Sequence, residues 1–148
     1  MNAPSPARPA WLGLLARAPR GAIEPLLAEA PALPGFIRLR GPEIGMSMVR
    51  GRAGGGGAAF NLGEMTIARC SIRDEDGFVG HGYVAGRDGA LAELIARLDA
   101  ALQNAARHAS LHAAVLAPLA AAEATRRAAD EARAAGTEVR FFTLATMR

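Results

Sequence analysis

The chain contains no lysine and only one cysteine, and each shortage excludes a type of chemistry. All 17 of its Lys and Arg positions are arginine. A P-loop needs a lysine at the phosphates and a Schiff-base enzyme needs a lysine amine, so both classes are excluded. The single cysteine, Cys70, has no partner in the chain for a disulfide, which is typical of a reducing compartment. We therefore expect a cytoplasmic protein.

Long apolar runs and concentrated charge are also missing. No apolar stretch reaches the roughly 18–20 residues that a helix needs to cross a bilayer. The first residues lack the charged and apolar regions of a signal peptide. The net charge of +3 is spread along the chain, whereas nucleic-acid-binding domains concentrate basic charge in one patch. We expect neither a membrane nor a nucleic acid as a partner.

The length of 148 residues and the apolar content of 51% are those of one globular domain. Residues 1–8 are rich in proline, and we predict a disordered N-terminal tail there. Residues 9–148 are predicted to form a single domain with its own core.

The spacing of apolar residues predicts the order α-α-β-β-β-β-α-α-β. The strongest helical pattern begins at Leu91, where apolar residues recur every three or four positions, and the Asp76-Gly77 pair predicts a hairpin turn. Strands joined by hairpins and followed by helices indicate an antiparallel sheet with helices packed on one face, the α+β class. The predicted helices lie near residues 9–17, 23–30, 91–105 and 110–135, and the predicted strands near residues 36–40, 44–52, 65–73, 78–85 and 137–144.

A glycine-rich segment between arginines is the sharpest local feature. Glycines allow backbone N–H groups to approach an anion, and arginines bind phosphate through two parallel hydrogen bonds. Successive strands would then place three guanidinium groups around one loop and form an edge for an anion or a partner. The alternative is a flexible hairpin loop with solvated arginines. The residues of this candidate edge are Arg50, Arg52, Gly54, Gly55, Gly56, Gly57 and Arg69.

Two further candidates follow on the next strand and just after it. His81 lies among strand glycines whose spacing does not fit a dinucleotide-binding loop. We interpret His81 as a half-buried structural residue, with contact to an anion beside Arg69 as the alternative. Arg87, after the strand, is a candidate for the same edge.

No catalytic set and no metal site is predicted. His108 and His112 are four residues apart, but the intervening residues lack the glutamate of a zinc hydrolase and no third ligand is apparent. Cys70 lies on an alternating strand, which is typical of a small core residue. Glu64 and the carboxylates at residues 74–76 are candidates for acid–base chemistry, but the last three crowd a turn where exposure favours ordinary pKa values.

Several of these stretches, in this order and spacing, resemble one family over nearly the whole chain. The family is PhnG, the G subunits of the bacterial carbon–phosphorus lyase core complex. The chain departs from the family pattern at Gly56, where a threonine is usual, and after Thr143. The matching stretches are residues 11–16, 52–60, 63–69, 80–88, 99–103, 117–119 and 139–143.

The resemblance implies a role in phosphonate use. With the H, I and L subunits, the G subunit would support transfer of ribose triphosphate from ATP to methylphosphonate, with release of adenine. The J subunit would later cleave the carbon–phosphorus bond with an iron–sulfur cluster, which needs several cysteines. The implied partners are therefore the H, I and J subunits, with I as the expected direct contact, and the L subunit for activity. ATP and methylphosphonate would be substrates of the complex, and we expect this chain alone to bind no cofactor.

Two classes of function remain open. One is an obligate subunit with a structural or substrate-shaping role, and the other is a stand-alone phosphate- or nucleotide-binding module. An obligate subunit should expose apolar surface for its partners to cover. We expect Trp11, with Leu14 or Leu15, and the Phe141-Phe142 pair to contribute to that surface.

Overall fold

A computed structural model describes residues 7–54 and 56–138. Two short helices precede a sheet of three strands, and helices complete the described chain. The elements are α1 (Arg8–Arg17), α2 (Arg20–Ala28), β1 (Phe36–Gly51), β2 (Phe60–Asp74), β3 (Val79–Ala85), α3 (Gly89–Gln103), α4 (Ala105–Leu111), a π-helical turn (His112–Leu116) and α5 (Ala117–Ala135).

The sheet is antiparallel, with β2 between β1 and β3. Alternate residues of β2 point into the core, where Ala68, Cys70 and Ile72 are buried under the helices. Their neighbours on the opposite face are more exposed, as the two-residue period of a strand requires. The predicted α+β class, with an antiparallel sheet and helices on one face, is therefore confirmed.

Helix α3 lies directly on the sheet. It begins after Asp88, whose side chain accepts a hydrogen bond from the backbone N–H of Leu91 and so caps the helix. Two strand glycines permit the close approach. A Cβ atom at Gly80 would lie 1.9 Å from the carbonyl oxygen of Ala96, and one at Gly82 would lie 1.8 Å from that of Ala92. Only a residue without a side chain fits at these two positions.

The remaining helices add a second apolar layer around Trp11, Leu15 and Ile23. The π-helical turn ends at Leu116, two residues before Pro118, which lacks an N–H and would clash with an upstream carbonyl group in a regular α-helix. This turn lets the chain continue as α5. No helix in residues 7–54 and 56–138 is both long enough and apolar enough to span a membrane.

The structure corrects the predicted strands. The two predicted strands on either side of Gly41-Pro42 are one strand, β1, which passes through a cis peptide bond and two register shifts at this point. The predicted strand from Met65 begins earlier, at Phe60. Of the predicted closing strand at residues 137–144, Thr137 and Glu138 are not in a strand, and the rest lies outside the described residues.

The N-terminal predictions also change. Arg8, which is predicted to lie in the N-terminal tail, is the first residue of α1. Trp11 and Leu15 were expected on an exposed apolar surface, but they are 4% and 0% exposed because α1 packs against α3 and the later helices. Phe141 and Phe142 lie outside the described residues.

Candidate functional site: an apolar β-arm

Strands β1 and β2 extend well beyond the rest of the sheet. Within residues 7–54 and 56–138, strand β3 pairs with β2 only from Ile67 to Arg73, so residues 60–66 of β2 pair with β1 alone. We call residues 46–66 the β-arm: residues 46–51 of β1, residues 60–66 of β2 and the loop that joins them. At about 3.3 Å per residue, its two strands reach roughly 20 Å past the end of β3.

Among the described residues, the β-arm carries most of the large apolar side chains that are exposed. All nine such side chains in the described residues lie on the sheet, and five of them lie on the β-arm. Met46, for example, is 70% exposed. The five are Met46, Met48, Phe60, Leu62 and Met65, and the other four are Ile37, Leu39, Ile44 and Tyr83.

Both faces of the β-arm are apolar. Met46 and Met48 continue the phase of Ile44, which lies opposite Ala68, so they extend the core-facing side of the sheet beyond the helices. Met65 lies opposite Ser47 and points to the other side. A two-stranded ribbon is only marginally stable alone in water. A ribbon with apolar side chains on both faces therefore presents a surface that another molecule can cover.

The tip of the β-arm is basic. Arg50 donates a hydrogen bond from Nη2 to the carbonyl oxygen of Ala59 at 3.4 Å. The Arg52 side chain has no partner among the described residues. Gly54 and Gly57 have positive φ angles of 78° and 98°, which favour glycine, and the space around them and Gly56 is open. Gly55 lies outside the described residues.

The structure does not bring Arg69 to this tip. Arg69 lies nine residues beyond Phe60, opposite Glu43 and Tyr83, which is roughly 30 Å along the strand. Its Nε donates to Glu43 Oε1 at 2.5 Å, and Glu43 also pairs with Arg40. The expectation that Arg50, Arg52 and Arg69 surround one loop is therefore wrong, because the register of β1 and β2 separates them.

The two remaining predicted site residues, Arg87 and His81, both lie away from the tip of the β-arm. Arg87 is exposed in the segment after β3, near the base of the β-arm, where the backbone N–H of Gly86 donates to Thr66. His81 is partly buried on β3, and its Nδ1 lies 2.8 Å from Ser71 Oγ. Its backbone N–H donates to Asp99 Oδ2 at 2.9 Å. His81 thus hydrogen-bonds to Ser71 and Asp99, whereas the hydrogen bond of Arg69 goes to Glu43.

The cysteine and the histidines of the described residues do not form a metal-binding or catalytic cluster. Cys70 is buried as predicted, and burial raises the pKa of its thiol, which keeps it protonated at neutral pH. His108 Nδ1 lies 2.8 Å from the carbonyl oxygen of Leu102, and its ring packs against Trp11. Within residues 7–54 and 56–138, no three His, Cys, Asp or Glu side chains are placed to hold a metal ion.

One buried carboxylate was not among the predicted site residues. Asp99 of α3 is fully buried and accepts hydrogen bonds from Arg8, from the Trp11 indole and from the backbone of His81. The sequence carries a signal for it, because Asp99 follows Leu91 and Ile95 at four-residue intervals on the apolar stripe of the helix. An acidic residue on such a stripe needs a buried partner.

The chain was compared with known proteins. The family model of the phosphonate metabolism protein PhnG matches residues 6–146. A relative from Rhizobium meliloti (strain 1021), named alpha-D-ribose 1-methylphosphonate 5-triphosphate synthase subunit PhnG, is 46% identical over 86 residues. This alignment covers 58% of the chain and 55% of the relative, so it spans about half the length of each. Because the family model covers almost the entire sequence, the chain belongs to the PhnG family of phosphonate metabolism proteins.

Proposed function

We propose that this protein is a non-catalytic subunit of a carbon–phosphorus lyase complex and that it works only when docked to larger partners. The complex would transfer ribose triphosphate from ATP to methylphosphonate and release adenine. The proposed partners are the H, I and J subunits, with I in direct contact, and the L subunit for activity. The proposed location is the cytoplasm. The family match and the name of the relative support the pathway.

The observation that carries the docking role is the β-arm. Five large apolar side chains on a two-stranded ribbon are exposed to solvent on both faces. Soluble monomers rarely expose contiguous apolar patches of more than a few hundred Å², and larger ones mark interaction sites. The basic tip, with Arg50 and Arg52, adds charge that favours an acidic rim on the partner.

Co-purification tests this role. We expect the chain to recover the H, I and J subunits when all four are produced together and only this chain is tagged. The double variant Met46→Glu with Met48→Glu places two charges on one face of the β-arm, where burial against a partner becomes unfavourable. Recovery of the partners should then fall at least about tenfold, which corresponds to a loss of ~1.4 kcal/mol.

A matched control places the same two charges elsewhere. Ala121→Glu with Ala128→Glu alters exposed positions of α5, and the partners should be recovered as with the wild type. Circular dichroism checks that both variants are folded. Equal recovery with the β-arm variant would contradict docking through the β-arm. Stoichiometric ATP binding by the isolated chain would instead support the stand-alone phosphate- or nucleotide-binding module.

A further inference from the structure

A polar cavity opens between the start of α1, the β2–β3 turn and the end of α3. Its volume is about 460 Å³, which falls within the roughly 300–1,000 Å³ typical of small-molecule sites. It lies at the opposite end of the sheet from the β-arm. The lining residues are Arg8, Asp76, Gly77, Phe78, Val79, His81 and Gln103.

The buried carboxylate of Asp99 holds one wall of this cavity in place. Asp99 Oδ1 accepts from Arg8 Nε at 3.0 Å and from Trp11 Nε1 at 2.9 Å. Asp99 Oδ2 accepts from Arg8 Nη2 at 2.6 Å and from the backbone N–H of His81 at 2.9 Å. Four hydrogen bonds to one buried group fix the Arg8 side chain and the His81 backbone before any ligand arrives.

Three polar atoms on the lining residues have no partner among the described residues. Arg8 uses Nε and Nη2 for Asp99 and the Val79 carbonyl group, which leaves Nη1 as a donor. Gln103 uses Nε2 for the carbonyl groups of Val79 and Asp99, which leaves its amide oxygen as an acceptor. His81 has Nδ1 beside Ser71, which leaves Nε2. The cavity thus offers both donors and acceptors.

The charges of the lining residues are already balanced. Arg8 pairs with Asp99 at 2.6 Å, and Asp76 pairs with Arg107 at 3.2 Å and accepts from Asn104. A fully charged ligand would find no unpaired counter-charge on these side chains and would lose its hydration on entry. A neutral ligand with several hydroxyl groups would find donors, acceptors and the apolar ring of Phe78.

We propose that this cavity binds a neutral, polyhydroxylated molecule of the size of a monosaccharide. A hydroxyl oxygen of this molecule accepts a hydrogen bond from Arg8 Nη1, and a hydroxyl group donates one to the Gln103 amide oxygen. His81 Nε2 is the third hydrogen-bonding atom. The C–H face of the sugar ring packs against Phe78. This assignment is independent of docking through the β-arm, because the two sites share no residue.

Nuclear magnetic resonance of the full-length 15N-labelled chain tests the assignment. The probes are D-ribose and D-glucose, with inorganic phosphate and acetate as charged comparators at matched ionic strength. We expect saturable shifts of the His81 backbone amide and the Gln103 side-chain amide with at least one of the sugars, and no saturable shift of these signals with either anion.

Two variants change the lining without removing the Asp99 network. His81→Ala keeps the backbone N–H that donates to Asp99, and Phe78→Leu keeps an apolar side chain but removes the ring. Each should weaken sugar binding by about tenfold, the loss expected for one hydrogen bond or one aromatic contact. The matched control His112→Ala alters an exposed histidine outside the cavity and should bind as the wild type does.

Three outcomes would overturn the assignment. One is the absence of saturable shifts with both sugars in a chain whose spectrum is that of a folded protein. Another is phosphate or acetate binding at the same amides more tightly than either sugar, which would make the cavity an anion site. The third is sugar binding by His81→Ala and Phe78→Leu that equals the wild type.

Discussion

The two ends of the sheet differ in which side chains they bury and which they expose. Near the β2–β3 turn, the buried charge of Asp99 on α3 is surrounded by hydrogen-bond donors from α1 and β3. On the β-arm, large apolar side chains such as Met46 face solvent. A polar group that is buried and satisfied ties elements of one chain together, whereas exposed apolar area is left for another molecule. Variants at the first end should therefore affect stability, and variants at the second should affect association.

The largest effect on stability is expected from Asp99→Ala. The change leaves the Arg8 charge and the Trp11 N–H without their partner, and removing one member of a buried ion pair costs about 3–5 kcal/mol. Urea unfolding measures the free energy of unfolding. Asp130→Ala on the exposed side of α5 is the control and should change it by less than about 0.5 kcal/mol. Similar values for the two variants would show that the network does not stabilise this end.

Gly82→Ala should come next. The new methyl group would overlap the backbone of Ala92, which cannot rotate away, so α3 must move off the sheet. Overpacking of this kind costs about 1–3 kcal/mol and sometimes more. Thermal unfolding provides the measurement. Gly63→Ala lies on the same sheet, in the β-arm, where no atom is within 4 Å of the added carbon, and it should be tolerated. A stable Gly82→Ala protein would contradict the close approach of α3.

Smaller effects on stability are expected from two arginines, Arg69 in the middle of β2 and Arg52 at the tip of the β-arm, and these two can be distinguished by function. Arg69→Ala breaks a half-exposed pair with Glu43, which should cost about 0.2–1 kcal/mol. Arg52→Ala removes a side chain that has no partner among the described residues and should leave stability unchanged. If the tip binds an anion or an acidic partner, Arg52→Ala should impair growth on methylphosphonate more than Arg69→Ala.

Complementation of a deletion strain measures that growth, with circular dichroism as the check on folding. Equal growth of both variants and the wild type would leave Arg52 as a solvated side chain and Arg69 as the partner of Glu43 alone. It would not affect the family assignment, which rests on the match across residues 6–146.

The smallest effect should come from the ion pair between Arg17 and Glu123. The Arg17 hydrogen bond holds the pKa of the Glu123 carboxyl below its ordinary value. A lowered pKa in the folded state contributes stability above the unfolded pKa of about 4.3, and this contribution is lost as pH falls through the folded pKa. Arg17 is 55% exposed and the pair lies at the surface, so solvent screens it and the contribution is small.

The test is the stability difference between neutral pH and the acid side of the glutamate pKa. Glu123→Gln should lose slightly less stability than the wild type over this interval, and Arg17→Gln should behave in the same way because it removes the same pair. A larger acid loss in either variant would contradict the assigned direction of the pKa shift.

The sequence predicted the parts of the fold whose periodicity is regular. The alternation around Cys70 and the helical stripe from Leu91 reflect burial on one side only, and both were placed correctly. The sequence predicts two strands in place of β1 because Gly41-Pro42 is typical of a turn. In the structure, backbone pairing with β2 continues on both sides of this pair, so the strand is one. Trp11 was expected to be exposed because its burial depends on α3, and such long-range packing leaves no local pattern.

The candidate site was less predictable for a similar reason. Arg50, Arg52 and Arg69 are near one another in sequence, but their separation is set by the register between two strands. Register depends on pairing across the sheet, which a single strand does not encode. The extent of the β-arm depends on where β3 stops pairing with β2, and this too is a property of the assembled sheet.

The exposed β-arm also has a consequence for how the chain must be produced. In the sheet formed by the described residues, strand β1 lies at an edge, so a copy made without partners presents unpaired backbone groups beside exposed methionine and leucine side chains. Such edges pair with one another, and the resulting aggregates compete with correct assembly at a rate that rises with concentration. Synthesis of this chain in excess over its partners should therefore raise the insoluble fraction as its concentration increases, which favours matched dosage of the subunits.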